Sequence, residues 1–126
     1  MLGFASPQIR RRVTIQSRLD GAVTILQIRG TLTANVGERG LRDAIRTAVD
    51  GGSRAVIVNL GEAAAIDSSG VSDLASSHMM LNNCGGSLKI CCLSQKLKDV
   101  FIVTRLNTVF HVYETEADAI ASAQSV

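Results

Sequence analysis

The feature that most constrains the fold of this chain is an almost unbroken apolar run near its centre, Ala55-Val56-Ile57-Val58-Asn59-Leu60. A strand with one buried face alternates apolar and polar side chains, so a continuous apolar run predicts a strand that is covered on both faces. Strands of this kind belong to parallel sheets with helices packed against them. The run therefore indicates an α/β fold.

The segment before this run predicts an antiparallel hairpin. Val13 to Gln16 alternates apolar and polar residues, as a half-buried strand does. Asp20-Gly21 is a hairpin-turn signal, and Val23 to Ile28 forms the returning strand, which Gly30 ends. These residues supply an antiparallel edge to the sheet.

Helical patterns occur on both sides of the apolar run. Asn35 followed by Glu38 is an N-terminal capping pattern, and Gly51-Gly52 ends the helix that it opens. A second helix follows Asp67 and ends at Gly85-Gly86. The first helix has an apolar stripe at Leu41, Ala44, Ile45, Ala48 and Val49. The second has one at Val71, Leu74, Ala75, His78 and Met79.

The remaining segments continue the alternation. Ser87 to Leu93 predicts a strand, and Ser94 can cap a helix that buries Leu97, Val100 and Phe101. Val109 to Tyr113 predicts a short last strand. Thr115 and Asp118 form the capping pattern of a final helix. The fold class is therefore α/β, with a mixed, mostly parallel sheet of about five strands, an antiparallel edge hairpin and about four helices.

Composition narrows the classes of function. The formal net charge is only +2, and the chain has no Trp, one Tyr and three Phe. Recognition of single-stranded nucleic acid needs aromatic rings exposed on a basic surface, so no direct nucleic-acid partner is expected. No stretch approaches about 18 uninterrupted apolar residues, so no transmembrane segment is expected. We expect residues 1–12 to form an N-terminal arm and residues 13–126 to form one domain.

The cysteines predict a reducing compartment. Cys84, Cys91 and Cys92 are an odd number and match no zinc-ligand spacing, which indicates free thiols that pack as small apolar residues. In a strand, the adjacent Cys91 and Cys92 would point to opposite faces. Together with the absence of a recognisable secretory signal, these thiols predict a cytoplasmic protein.

The candidate site is Asp67-Ser68-Ser69-Gly70, where the central strand gives way to a helix. Ligands and partners of open α/β sheets bind at such strand ends. One interpretation is that Asp67 or Ser68 is only a helix N-cap, which stabilises by about 1 kcal/mol. The other is a phosphorylation switch on Ser68, because backbone N–H groups at a helix start tolerate a phosphate that a docked partner would not.

These residues also carry a family resemblance. Asn59-Leu60, then Ile66-Asp67-Ser68-Ser69-Gly70-Val71 and Leu74, resemble the STAS domain of bacterial anti-sigma factor antagonists. The resemblance covers about residues 13–123, including the hairpin and the final strand and helix. It implies a STAS-like fold and a non-enzymatic protein that binds a serine-kinase anti-sigma factor while Ser68 is unphosphorylated. Phosphorylation by that kinase would end binding, and a metal-dependent serine phosphatase would restore it.

The resemblance also implies a partner-binding surface around Ser68. Ser72, Ser76 and Ser77 of the following helix are expected to be partly exposed. The residues implied to contact the partner are Thr31, Thr33, Asp67, Ser69, Gly70 and Ser72.

Other functions are weighed on the same residues. A serine hydrolase would need His78 or His111 as a base, but there is no G-x-S-x-G turn, and His78 lies about 15 Å along the helix from Ser68. No catalytic residue, metal site or cofactor is predicted. A STAS domain that acts as a phosphorylation-independent adaptor or scaffold, for example as a cytoplasmic subunit of a membrane transporter, stays open. So does binding of lipid or small anions through Arg10-Arg11-Arg12. The sequence does not determine the oligomeric state.

Overall fold

A computed structural model of the chain describes residues 14–32 and 40–124. These residues form one five-stranded sheet, whose strands lie in the order in which they occur along the chain. The strands are β1 (Thr14–Asp20), β2 (Val23–Leu32), β3 (Ala55–Ile66), β4 (Ser87–Cys91) and β5 (His111–Tyr113). The helices are α1 (Leu41–Asp50), α2 (Ser68–Asn83), α3 (Gln95–Val103), α4 (Leu106–Val109) and α5 (Glu116–Gln124). The expected arm, Thr33, and the capping pattern of Asn35 and Glu38 lie outside the described residues.

The sheet has the predicted mixed topology. β1 and β2 are antiparallel, and the other neighbouring strands are parallel. Gly21 lies in the turn between β1 and β2 with a φ of 66°, a left-handed conformation that glycine adopts without steric cost. The predicted α/β fold class is confirmed, with one short helix, α4, beyond the four that were expected.

Both faces of the sheet are covered. On one face, α1, α2 and α3 pack on strand residues such as Leu26, Val58 and Ile90, and Phe101 is the largest side chain buried there. On the other face, α5 contributes Ala119 to a smaller cluster with Ile25 and other strand residues. The central strand is therefore buried from both sides, which is what its unbroken apolar run predicts.

The central strand is longer than predicted. The apolar run predicts a strand that ends at Leu60, but β3 runs to Ile66. Its last residues pair with the end of β2, where Thr31 lies opposite Ala65 and Leu32 lies opposite Ile66. This pairing is a tertiary interaction, and it supports strand structure in a segment of small residues that have little β propensity of their own.

Four other boundaries differ from the prediction. β2 continues through Gly30, which was expected to end it, to Leu32. α1 begins after Gly40, whose backbone is extended. β4 ends at Cys91, because Cys92 adopts a φ of 69° that leaves the pleated strand. The two thiols consequently do not point to opposite faces: their sulfur atoms lie 3.3 Å apart. Val109 ends the helical turn α4, so β5 begins only at His111.

Candidate functional site

Asp67 is the N-cap of α2. Its backbone is extended, with φ −102° and ψ −179°, and its Oδ1 accepts hydrogen bonds from Gly70 N–H at 2.9 Å and Ser69 Oγ at 2.7 Å. Its carbonyl oxygen accepts the first helical hydrogen bond, from Val71 N–H at 2.9 Å. Of the two residues that the sequence offers as a cap, Asp67 therefore takes that role, and Ser68 is the first residue of the helix.

The start of α2 lies directly against the end of β2. Asp67 N–H donates to Leu32 O at 3.2 Å. A Cβ atom on Gly70 would lie 2.2 Å from the same Leu32 oxygen, far inside the contact limit. Glycine at position 70 therefore allows the helix to approach the strand, and this contact positions the residues before it.

Ser68 is exposed at the first position of α2. Among the residues that the structure describes, its Oγ has no hydrogen-bond partner, whereas the hydroxyl of the adjacent Ser69 donates to Asp67. Ser69 is also half-buried. The two serines of the motif thus differ in accessibility, and Ser68 is the more exposed of the two.

A stripe of exposed residues continues from Ser68 along α2. Ser72, Ser76 and Met79 follow Ser68 at successive helical intervals of four, four and three residues, and all are exposed. Met79 has an exposed fraction of 64 %, so its prediction as part of the buried stripe is wrong. Ser77, which was expected to be partly exposed, is fully buried.

The other predicted contact residues are placed unevenly. Thr31 is half-buried near the end of β2, beside the paired strand that leads into Asp67. Gly70 is buried under the helix start and can present only its backbone. Thr33 lies outside the described residues. Around Ser68, the structure therefore brings together the end of β2, the cap and the first turns of α2.

Asp73 is a charged residue near the site whose environment the sequence did not reveal. Its side chain is buried and turned toward α1, where Arg42 Nε lies 3.9 Å from its carboxylate. Burial raises the pKa of Asp73, and the positive charge of Arg42 opposes that rise. Asp73 is five positions after Ser68, so it projects from a different face of the helix. The exposed stripe is therefore free of its charge.

Within the described residues, neither His78 nor His111 forms a hydrogen bond with Ser68. His78 packs edge-on against Phe110, with ring centroids 4.9 Å apart, and its Nε2 lies 3.2 Å from Asn82 Nδ2. His111 is an exposed residue of the edge strand β5. Across residues 14–32 and 40–124, no three His, Cys, Asp or Glu side chains are grouped so that they could hold a metal ion.

An ion-pair network lies on the opposite face of the sheet. The Arg18 guanidinium forms a salt bridge with Glu116, and Asn59 Nδ2 donates to Glu116 Oε2 at 2.8 Å. The hydrogen bond from Arg18 holds the pKa of Glu116 below its usual range, and Asn59 acts in the same direction. The network connects β1, β3 and α5 away from Ser68.

Comparisons with known proteins agree on one family. A family model of the STAS domain matches residues 11–119. No curated protein sequence matches the chain. None of the helices in the described part of the chain is long and apolar enough to cross a membrane.

Three solved structures illustrate the likeness. An anti-sigma factor antagonist from Mycobacterium paratuberculosis has 20% identity and a TM-score of 0.78, over 91% of this chain and 97% of its own. The phosphorylated form of SpoIIAA, a Bacillus cell fate determinant, has 23% identity and a TM-score of 0.67, over 88% of this chain and 100% of its own. A sulfate transporter family protein from Wolinella succinogenes has 18% identity and a TM-score of 0.69, over 85% and 88%. At these identities the likeness shows the fold.

Proposed function

Since this chain belongs to the STAS domain family, we propose that it is an anti-sigma factor antagonist that is switched by phosphorylation of Ser68. In its unphosphorylated form it sequesters an anti-sigma factor that is a serine kinase. The kinase transfers the γ-phosphoryl group of ATP to Ser68 Oγ, which releases ADP and a proton, and the complex dissociates. A metal-dependent serine phosphatase then hydrolyses the phosphoserine. The antagonist itself binds and does not catalyse, and we place it in the cytoplasm with these partners.

The observation that carries this proposal is the chemistry of the exposed face of α2. Ser68 lies at the N-terminal end of this face, and the residues that follow on the same face are uncharged. The single charged residue of α2, Asp73, is buried against α1. An uncharged face of small side chains that ends in the exposed Met79 suits docking of another protein, because little charge must be desolvated. A phosphate would add about −1.5 to −2 charges to that face at pH 7.

The fold itself should tolerate that charge. Phosphate on Ser68 would lie at the N-terminal end of α2, where unsatisfied backbone N–H groups and the helix dipole favour an anion. The Asp67 carboxylate is close by, and it weakens this effect without abolishing it, because the site is exposed to solvent and counterions. The same phosphate would be buried without compensation in the interface with the partner. Phosphorylation would therefore disrupt the complex and leave the domain folded.

The test needs a purified serine-kinase anti-sigma factor, and the genes that neighbour the gene of this chain are the first place to search for it. Incubation with that kinase and ATP should add one phosphoryl group to the intact mass of the wild type and of Ser69→Ala, and none to Ser68→Ala. Transfer to Ser68→Ala, or no transfer to any form, would contradict the assignment of Ser68.

Binding to the same kinase gives the second readout. Ser68→Asp should weaken binding by at least about tenfold, which corresponds to 1.4 kcal/mol, and should shift the Tm by no more than a few degrees. Ala121→Asp is the matched control, because it places the same charge at an exposed position of α5, which packs on the opposite face of the sheet, and it should leave the affinity unchanged. Equal affinities of wild type and Ser68→Asp would refute the switch.

The likeness to a sulfate transporter family protein favours a second function. In this alternative, the chain is a STAS domain that binds its partner without phosphorylation. Such an adaptor would use the same face of α2, including Ser72 and Met79. It predicts that Ser68→Asp and Ser68→Ala bind their partner alike, and that no kinase phosphorylates Ser68. The measurements above therefore separate the two functions.

A further inference from the structure

Among the residues that the structure describes, the strand β1 forms one edge of the sheet and carries few of the features by which proteins protect such edges. Its seven residues pair with β2 in an unbroken register, without a bulge. The strand contains neither proline nor lysine, and its one basic residue, Arg18, is held by Glu116. An exposed strand of this length, with unpaired backbone groups along one side, is a template for the addition of another strand.

The hairpin determines which backbone groups of β1 are available. The turn between Asp20 and Val23 has two residues, so Asp20 and Val23 form a hydrogen-bonded pair. Hydrogen-bonded and non-hydrogen-bonded pairs alternate in an antiparallel ladder, so Arg18, Gln16 and Thr14 also bond to β2. The remaining residues have backbone N–H and C=O groups that point outward from the sheet; they are Ile15, Ser17 and Leu19.

We propose that β1 pairs with β1 of a second copy of this chain, antiparallel and centred on Ser17, so that the two sheets become continuous. In this register Ile15 lies opposite Leu19 of the second copy, and Ser17 lies opposite its counterpart. Every pair that would form hydrogen bonds uses residues whose backbone groups point outward. A register centred on Arg18 would instead place two guanidinium groups directly opposite each other, which is unfavourable. The contact is isologous, as a twofold dimer requires.

The side chains on both faces suit this register. Ile15, Ser17 and Leu19 point toward α1 and line a groove of about 390 Å³ with α1 residues that include Ala44 and Ala48. Leu19 has an exposed fraction of 70 %, and its pairing with Ile15 of the second copy would cover it. On the opposite face, the two Arg18 side chains would be diagonal neighbours, and each carries its own Glu116 as a counter-charge.

Cross-linking tests the register. Opposite Cα atoms of a hydrogen-bonded antiparallel pair lie about 5.5 Å apart, within the range that a disulfide spans. In a Cys84→Ser background, which removes the exposed native thiol, Ser17→Cys should therefore form a disulfide-linked dimer on mild oxidation. Gln16→Cys is the matched control, because its two Cα atoms would be about 8 Å apart and should not be linked.

Sedimentation velocity tests the association itself. We expect the full chain to move from monomer to dimer as its concentration rises toward about 1 mM. Leu19→Lys should raise the dissociation constant at least about tenfold. Val103→Lys, at a position of α3 that is also exposed, should leave it unchanged. A chain that stays monomeric at every concentration would overturn the proposal. A strand of another protein would then be the remaining candidate to pair with β1. A dimer that Leu19→Lys does not weaken, or that Ser17→Cys fails to link, would overturn the proposal as well. Ser68 takes no part in these measurements, so they are independent of the switch.

Discussion

Replacement of Gly70 by alanine should be among the more destabilising single-methyl additions in this chain. The added Cβ would lie 2.2 Å from the Leu32 carbonyl oxygen, whereas such contacts are essentially never shorter than 3.0 Å, so about 0.8 Å of displacement is needed. Leu32 cannot yield easily, because its oxygen accepts from Asp67 N–H and its strand is paired with β3 at Ile66. Overpacking of this kind costs about 1–3 kcal/mol, and the rigid backbone on both sides places Gly70→Ala in the upper half of that range.

Urea and thermal unfolding measure this cost. We expect the free energy of unfolding to fall by about 2–3 kcal/mol and the Tm by about 8–12 °C. Gly51→Ala is the matched control. Gly51 follows the end of α1, its φ is −82°, and the nearest contacts of an added Cβ would be at an ordinary 3.5 Å, so the stability of this variant should stay within about 0.5 kcal/mol of wild type. A Gly70→Ala Tm within about 2 °C of wild type would show that α2 does not start against β2. The position of Ser68 described above would then be wrong.

Substitutions at three further positions test other contacts of the fold. Asp67→Ala removes the acceptor for the Gly70 N–H and should cost about 1 kcal/mol in urea unfolding, whereas Asp67→Asn, an equally good cap, should cost only a few tenths. Arg18 lowers the pKa of Glu116, so the stability that Glu116 contributes is present above its ordinary pKa and is lost as the pH falls through the lowered value. Glu116→Gln should remove this loss of stability at acid pH and should cost about 0.5 kcal/mol at pH 7. A dependence of stability on pH that is the same in the variant and the wild type would refute the interaction between Arg18 and Glu116. Burial raises the pKa of Asp73, so the stability that this carboxyl contributes is greatest at acid pH and declines as the pH rises through the raised value. The free energy of unfolding of Asp73→Asn, relative to that of wild type, should therefore increase by up to about 1 kcal/mol between about pH 4 and pH 7. A decrease over this range would show that the pairing with Arg42 dominates.

Local signals predicted the features of this fold that depend on neighbours in the sequence. Ser94 and Thr115 accept hydrogen bonds from the N–H groups three residues ahead, as their capping patterns predict. Leu41 and Ile45 of the α1 stripe are buried because their spacing follows the period of the helix. The motif around Ser68 was found in the same way, since its cap and its helix lie within a few residues of it.

Predictions from the sequence were wrong where the outcome depended on distant residues. Ser77 and Met79 exchanged their expected environments, because which side of α2 is buried depends on the packing of α1 and the sheet against it. The vicinal cysteines lie together because Cys92 leaves the strand, which its backbone N–H bond to Tyr113 O stabilises. None of these contacts has a local signature.

By itself, then, the sequence determined the order of the strands and of the four longer helices, the hairpin, the caps of α3 and α5 and the candidate serine, because hydrophobic period and capping act over a few residues. The tertiary structure decided how far β3 extends, which face of α2 meets solvent and where Asp73 directs its charge. Those outcomes depend on backbone pairing and on packing between segments that are far apart in the chain, and the free energy of such contacts is set only when the elements meet.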